Sequence, residues 1–146
     1  MNASAEGAVL SFVDTNVLVY AFDIADPQRS RLANQLMERL MDENALCTSS
    51  QVLGEFFTTS TRKLRVPLSP AEALKAIDGI ATWPVLATDY RLVRDACELS
   101  ISAKVSYWDA LIICAALRSG ATKLYSEDLN DGQRFLGVEI VNPFRG

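Results

Sequence analysis

The 146 residues include no histidine. That absence removes the Ser/His and Cys/His nucleophile systems, acid-base ribonuclease chemistry built on imidazole, and imidazole metal sites. Any hydrolytic chemistry therefore has to use carboxylates, metal ions or both. Cysteine is scarce and odd in number, with Cys47, Cys97 and Cys114 widely spaced among apolar residues. They read as buried free thiols in a reducing compartment, with no disulfide framework and no zinc site. Positive charge is in deficit too, with 14 basic against 18 acidic residues and a net charge of -4. This argues against nucleic-acid binding through bulk positive charge, though not against a local basic groove. Long hydrophobic runs are missing: the longest all-apolar block, Ala110 to Leu117, is far below membrane-spanning length, and the N-terminus has no signal-like pattern. The expected location is the cytoplasm, with no membrane partner.

What is present fits one compact domain over residues 1–146, with Met1 to Gly7 a loose tail. Hydrophobic residues make up 49% of the chain, more than so small a surface needs, which makes a homodimer an expectation. Val9 to Val13 is an apolar run that stops at Asp14, and Asp14 or Thr15 opens a helix through Ala21. Asp26-Pro27 caps and starts a second helix with Leu32, Leu36, Met37 and Leu40 as its stripe and a solvated Arg-rich face. Ala45 to Thr48 predicts a strand, and Ser49 or Ser50 a helix bearing Val52, Leu53, Phe56 and Phe57. Ser69-Pro70 starts a helix with Ala73, Leu74 and Ile77 apolar, Trp83 to Leu86 reads as a third strand, and Thr88-Asp89 caps a helix to about Leu99. Ser106 opens a helix apolar nearly all round that ends at Ser119-Gly120. Lys123 to Tyr125 and Val138 to Val141 are the last strands, with Ser126 to Gly132 a polar turn between them. Strands alternating with helices predict an α/β fold, a mostly parallel sheet covered on both faces.

Four acids stand where a core pattern does not place them: Asp14 after the first strand, Glu55 beside an apolar stripe, Asp109 at the start of the buried helix, and Asp128 after the fourth strand. Each has a plain structural reading. Asp14 can cap a helix, Asp109 can complete a capping box with Ser106, Glu55 can be a solvated helix edge, and Asp128 can be a turn residue. Their joint placement at element ends points further. If the first and fourth strands are neighbours, Asp14 and Asp128 share one rim of the sheet, and Asp109 can approach it. Clustered carboxylates repel, and a hard dication is their natural counter-charge. Mg²⁺ or Mn²⁺ held there can activate water against a phosphodiester without any histidine.

These residues resemble a known family. Val13-Asp14-Thr15-Asn16-Val17-Leu18 is similar to the opening motif of PIN-domain nucleases, and Glu55 in Gln51-Val52-Leu53-Gly54-Glu55-Phe56 to their second acid. Tyr107-Trp108-Asp109-Ala110-Leu111-Ile112 resembles the third motif and Tyr125-Ser126-Glu127-Asp128-Leu129 the fourth. The resemblance implies a three-layer α/β/α sandwich and Mg²⁺- or Mn²⁺-dependent endoribonuclease activity, most like a VapC-type toxin of a bacterial toxin-antitoxin pair with a cognate antitoxin as partner. Carried over by motif, Asp14, Glu55, Asp109 and Asp128 are the catalytic acids, with Asp14, Asp109 and Asp128 holding metal. Asn16 orients them and Ser126 braces the fourth motif. The fourth motif is rich in acids, and Asp128 is preferred over Glu127 and Asp131 by its spacing from Ser126. Arg62, Lys63 and Arg65 are candidate contacts to the RNA backbone. Two other readings stay open: a catalytically silent PIN-like module that binds RNA or protein, and a phosphotransfer domain using Asp14 as nucleophile.

Overall fold

The computed structural model describes residues 9–145, so the expected N-terminal tail lies outside the described residues. Six strands form one sheet in the order β3-β2-β1-β4-β6-β5. They are β1 (Leu10–Val13), β2 (Leu46–Ser49), β3 (Val85–Leu86), β4 (Ala121–Tyr125), β5 (Arg134–Phe135) and β6 (Val138–Val141). All pair in parallel except β5, which runs antiparallel to β6. The helices are α1 (Thr15–Ala21), α2 (Pro27–Asp42), α3 (Ser50–Arg62), α4 (Pro70–Ile80), α5 (Tyr90–Ala103) and α6 (Tyr107–Arg118). The fold is an α/β/α sandwich. Helix α6 packs on β2, β4 and β6 with α5 outside it, while α2 and α3 pack on β2. Seven consecutive residues of α6, Ala110 to Ala116, are buried, which accounts for its apolar character all round.

The chain lays down β1, β2 and β3 in one direction, then returns to place β4 on the other side of β1. That reversal opens a crevice beyond the carboxyl ends of β1 and β4. Val13 is opposite Tyr125 in the register, so Asp14 and Ser126 leave the sheet side by side.

Several boundaries and burial expectations need correction. Val9 is 59% exposed and lies outside β1. The third strand is reduced to two residues at the sheet edge, because Pro84 has no N–H to give a ladder; its carbonyl still accepts from the Thr48 N–H. Leu74 points outward from α4 at 55% exposure while Ala73 and Ile80 are buried. Cys47 and Cys114 are buried as expected but Cys97 is exposed, since it sits one residue past Ala96, which holds the core-facing stripe of α5. The β5–β6 hairpin was not visible in the sequence. Its two-residue loop, Leu136-Gly137, has positive φ at both positions (49° and 94°), the geometry of a type I′ turn, yet leucine is not a residue that signals one.

Candidate active site

Asp14 is the last extended residue before α1 and is its N-cap. Its backbone N–H continues the sheet by donating to the Tyr125 carbonyl, which fixes where the side chain emerges. The carboxylate is buried, 8% exposed. One oxygen accepts from the Thr15 N–H at 2.7 Å and the other from the Ser126 hydroxyl at 2.8 Å. Burial pushes the Asp14 carboxyl up from its ordinary 3.8 to about 6; the two hydrogen bonds pull the other way, and the charges of Asp128 and Glu55 add to the rise. The side chain that caps α1 thus also lines the crevice.

Ser126 Oγ, wholly buried, is a saturated junction. It donates to Asp14 and accepts from Asn16 Nδ2 at 3.3 Å and the Asp128 N–H at 3.2 Å, the full capacity of a hydroxyl. Asn16 Nδ2 also donates to Asp128 Oδ2 at 3.0 Å, and Asn16 Oδ1 accepts from the Glu127 N–H at 3.0 Å. This fixes the amide orientation, because a flipped amide would set N–H against N–H. The structure thus brings Asp14, Asn16, Ser126 and Asp128 together.

Of the three acids in the fourth motif, only Asp128 joins this group by a direct side-chain bond. Glu127 turns back to accept from the Tyr20 hydroxyl at 3.1 Å and from Arg29 Nε at 2.9 Å. Arg29 also lies over the Tyr20 and Phe144 rings, so the Arg-rich face of α2 is not simply solvated. Asp131 accepts from the Asn142 N–H and pairs with Arg145, which ties down the C-terminal segment instead.

Glu55 projects from α3, whose N-cap is Ser49 at the end of β2, and Oε1 accepts from the Thr15 hydroxyl at 3.0 Å. Thr15 was not singled out from the sequence, although its place between Asp14 and Asn16 was the available signal. Asp109 occupies the third position of α6, and its N–H donates to the Ser106 hydroxyl. Its carboxylate has no hydrogen-bond partner among the described residues. The contrast with α4 is instructive: there Ser69 and Glu72 complete a reciprocal capping box. At α6 only the Ser106 half of the box is made, and Asp109 lines the crevice instead.

A cleft of about 650 Å³ contains Asp14, Asn16, Glu55, Asp109 and Asp128 in its walls. Lys63 also lines it, whereas Arg62 and Arg65 do not. Gln51 lines the cleft too; its Nε2 donates weakly to Glu55 Oε1 at 3.4 Å, and its buried Oε1 lacks a partner. Among the described residues no three acids stand close enough to form a ready-made metal cage. The donor set nevertheless fits a hard dication that keeps several of its waters, since Mg²⁺ needs only one or two protein carboxylates.

The match to known proteins is decided by residues 11–131, which fit the PIN domain model. The chain belongs to the PIN domain family. No curated protein sequence matches the chain at a significant level. Solved structures that share its PIN fold include a toxin-antitoxin complex from Klebsiella pneumoniae, at 18% identity and a TM-score of 0.65, covering 91% of this chain and 97% of that one. The Mycobacterium tuberculosis toxin VapC20, described as cleaving the sarcin-ricin loop, aligns at 23% identity and a TM-score of 0.62, with 81% and 89% covered. A DNA-bound VapBC complex from Salmonella typhimurium aligns at 21% identity and a TM-score of 0.61, with 90% and 96% covered. At these identities the likeness is one of fold, and the chemistry has to be argued from this PIN domain's own residues.

Proposed function

We propose that this PIN domain is a Mg²⁺- or Mn²⁺-dependent endoribonuclease and the toxin of a type II toxin-antitoxin pair. The observation that carries the reading is the convergence of Asp14, Glu55, Asp109 and Asp128 on one cleft at the switch point of the sheet. Family membership and the VapC identity of structural neighbours support it. Asp14, Asp109 and Asp128 would hold the ion. When bound, it lowers the pKa of a coordinated water and offsets charge gathering on the phosphate. Asn16 and Ser126 fix Asp14 relative to Asp128. Glu55, steadied by Thr15, would take a proton from the attacking water and return it to the ribose oxygen as the P–O ester bond breaks. Lys63 contacts the RNA backbone, with Arg62 and Arg65 on either side of it in the same segment.

The antitoxin is the partner supported by the complexes among the structural neighbours. The acidic cleft gives it a physical handle, because an inserted Arg or Lys pairs with the carboxylates a metal would otherwise occupy. The test is cleavage of total RNA by highly purified protein in Mg²⁺. Cleavage is expected to stop in excess chelator and in Asp14→Ala and Asp109→Ala. Activity that persists in chelator, or in both variants, removes the mechanism. Induced expression of the wild type alone is expected to arrest growth while Asp14→Ala does not.

A further inference from the structure

Besides its acids, the cleft carries a side chain that hydrolysis does not use. Trp108 is 63% exposed although it lines the same cleft as Asp14, Glu55 and Asp109. It is the second residue of α6, so the helix fixes where it starts, and the Tyr107 ring braces it edge-on at 4.9 Å and 73°. An indole held in water forgoes the stabilisation that burying its area would bring. Trp83, the other tryptophan, packs against the core as expected of the residue type.

We propose that Trp108 is a stacking platform for one nucleobase of the RNA, which must then be unstacked at the cleft. The inference rests on the endoribonuclease reading and adds to it a residue that holds the substrate. Trp108 lines the same cleft as Asp14, Glu55, Asp109 and Asp128, so a base resting on the indole lies in the cleft that holds the acids. The side-chain charge of the cleft opposes RNA more than it attracts it: six acids line it against one lysine, Lys63, and the chain carries a net charge of -4. Stacking is the attraction that does not need positive charge, and it tolerates any base sequence. A base inside a duplex has no free face to offer, which excludes paired RNA unless the base is flipped out.

The test uses Trp83→Phe, which leaves Trp108 as the only tryptophan, in chelator so that binding is read without turnover. Single-stranded RNA of about 12 nucleotides, within the usual range of site sizes, is expected to quench the Trp108 emission. The same strand in a duplex, and an abasic strand of equal charge, are expected not to. Trp108→Ala should weaken binding of the labelled single strand roughly 10- to 100-fold, with Trp108→Phe recovering much of it. Equal quenching by abasic or duplex RNA, or unchanged affinity in Trp108→Ala, overturns the proposal. So does quenching by a peptide partner but not by RNA. Metal-dependent cleavage of total RNA by the wild type is scored separately: its absence overturns the endoribonuclease reading itself, whereas its presence with any of those outcomes overturns the role of Trp108 alone.

Discussion

At Asp14 stability and the proposed function pull in opposite directions. A carboxyl whose folded value, about 6, lies above its ordinary 3.8 is held more tightly as the neutral acid by the folded state than by the unfolded chain. The stability this gives is fully present below about pH 4 and is lost as pH rises through 6, so at neutral pH the ionised group costs the metal-free protein roughly 3 kcal/mol. Asp14→Asn should therefore abolish cleavage yet raise the melting temperature at pH 7.5 in chelator. The gain should be smaller than the full cost, because an amide nitrogen cannot accept from Ser126. Thermal melts of both proteins at pH 4 and pH 7.5 read this directly; a melting temperature that falls at pH 7.5 contradicts the burial argument. Arg29 acts at one remove, through Glu127, on the loop that carries Asp128. Arg29→Ala should lower cleavage while leaving the melting temperature nearly unchanged, and full activity would show that the loop needs no such brace.

At the scale of elements, α3 and the β5–β6 hairpin show how far the sequence could be read. The apolar stripe of α3 and its cap predicted the helix and put Glu55 at its edge, and Phe56, wholly buried beside Glu55, is what seats that helix. Phe56→Ala should cost about 3–5 kcal/mol and is expected to lower the urea midpoint markedly. The hairpin was missed because its loop begins with Leu136, 87% exposed at φ 49°. A leucine there bears roughly 1–2 kcal/mol of left-handed strain. Leu136→Asn, which creates the Asn-Gly pair that type I′ turns favour, should raise the melting temperature by a few degrees. No gain would mean that the turn relaxes in solution. The Arg29–Glu127 pair was illegible for a different reason: it joins residues 98 positions apart, and neither local pattern nor periodicity reports a contact of that range.

For the whole molecule, the alternation of strands and helices was enough to predict a mostly parallel sheet, and the reversal between β1 and β4 explains why acids distant in sequence meet. The four motif acids could be read because each sits at an element end or edge where core packing gives no reason for a carboxylate. The identity of the fourth acid could not be settled from spacing alone, since it depends on which way three neighbouring side chains turn. The structure turns Glu127 toward Arg29, Asp131 toward Arg145 and Asp128 toward Asn16. The central claim is that Asp14, Asp109 and Asp128 form one divalent-cation pocket, and calorimetric titration with Mn²⁺ tests it most directly. The account predicts saturable binding by the wild type that is lost in Asp14→Asn and Asp128→Asn and kept in Asp131→Asn. A wild type that binds no Mn²⁺, or binding that survives Asp14→Asn unchanged, would contradict it.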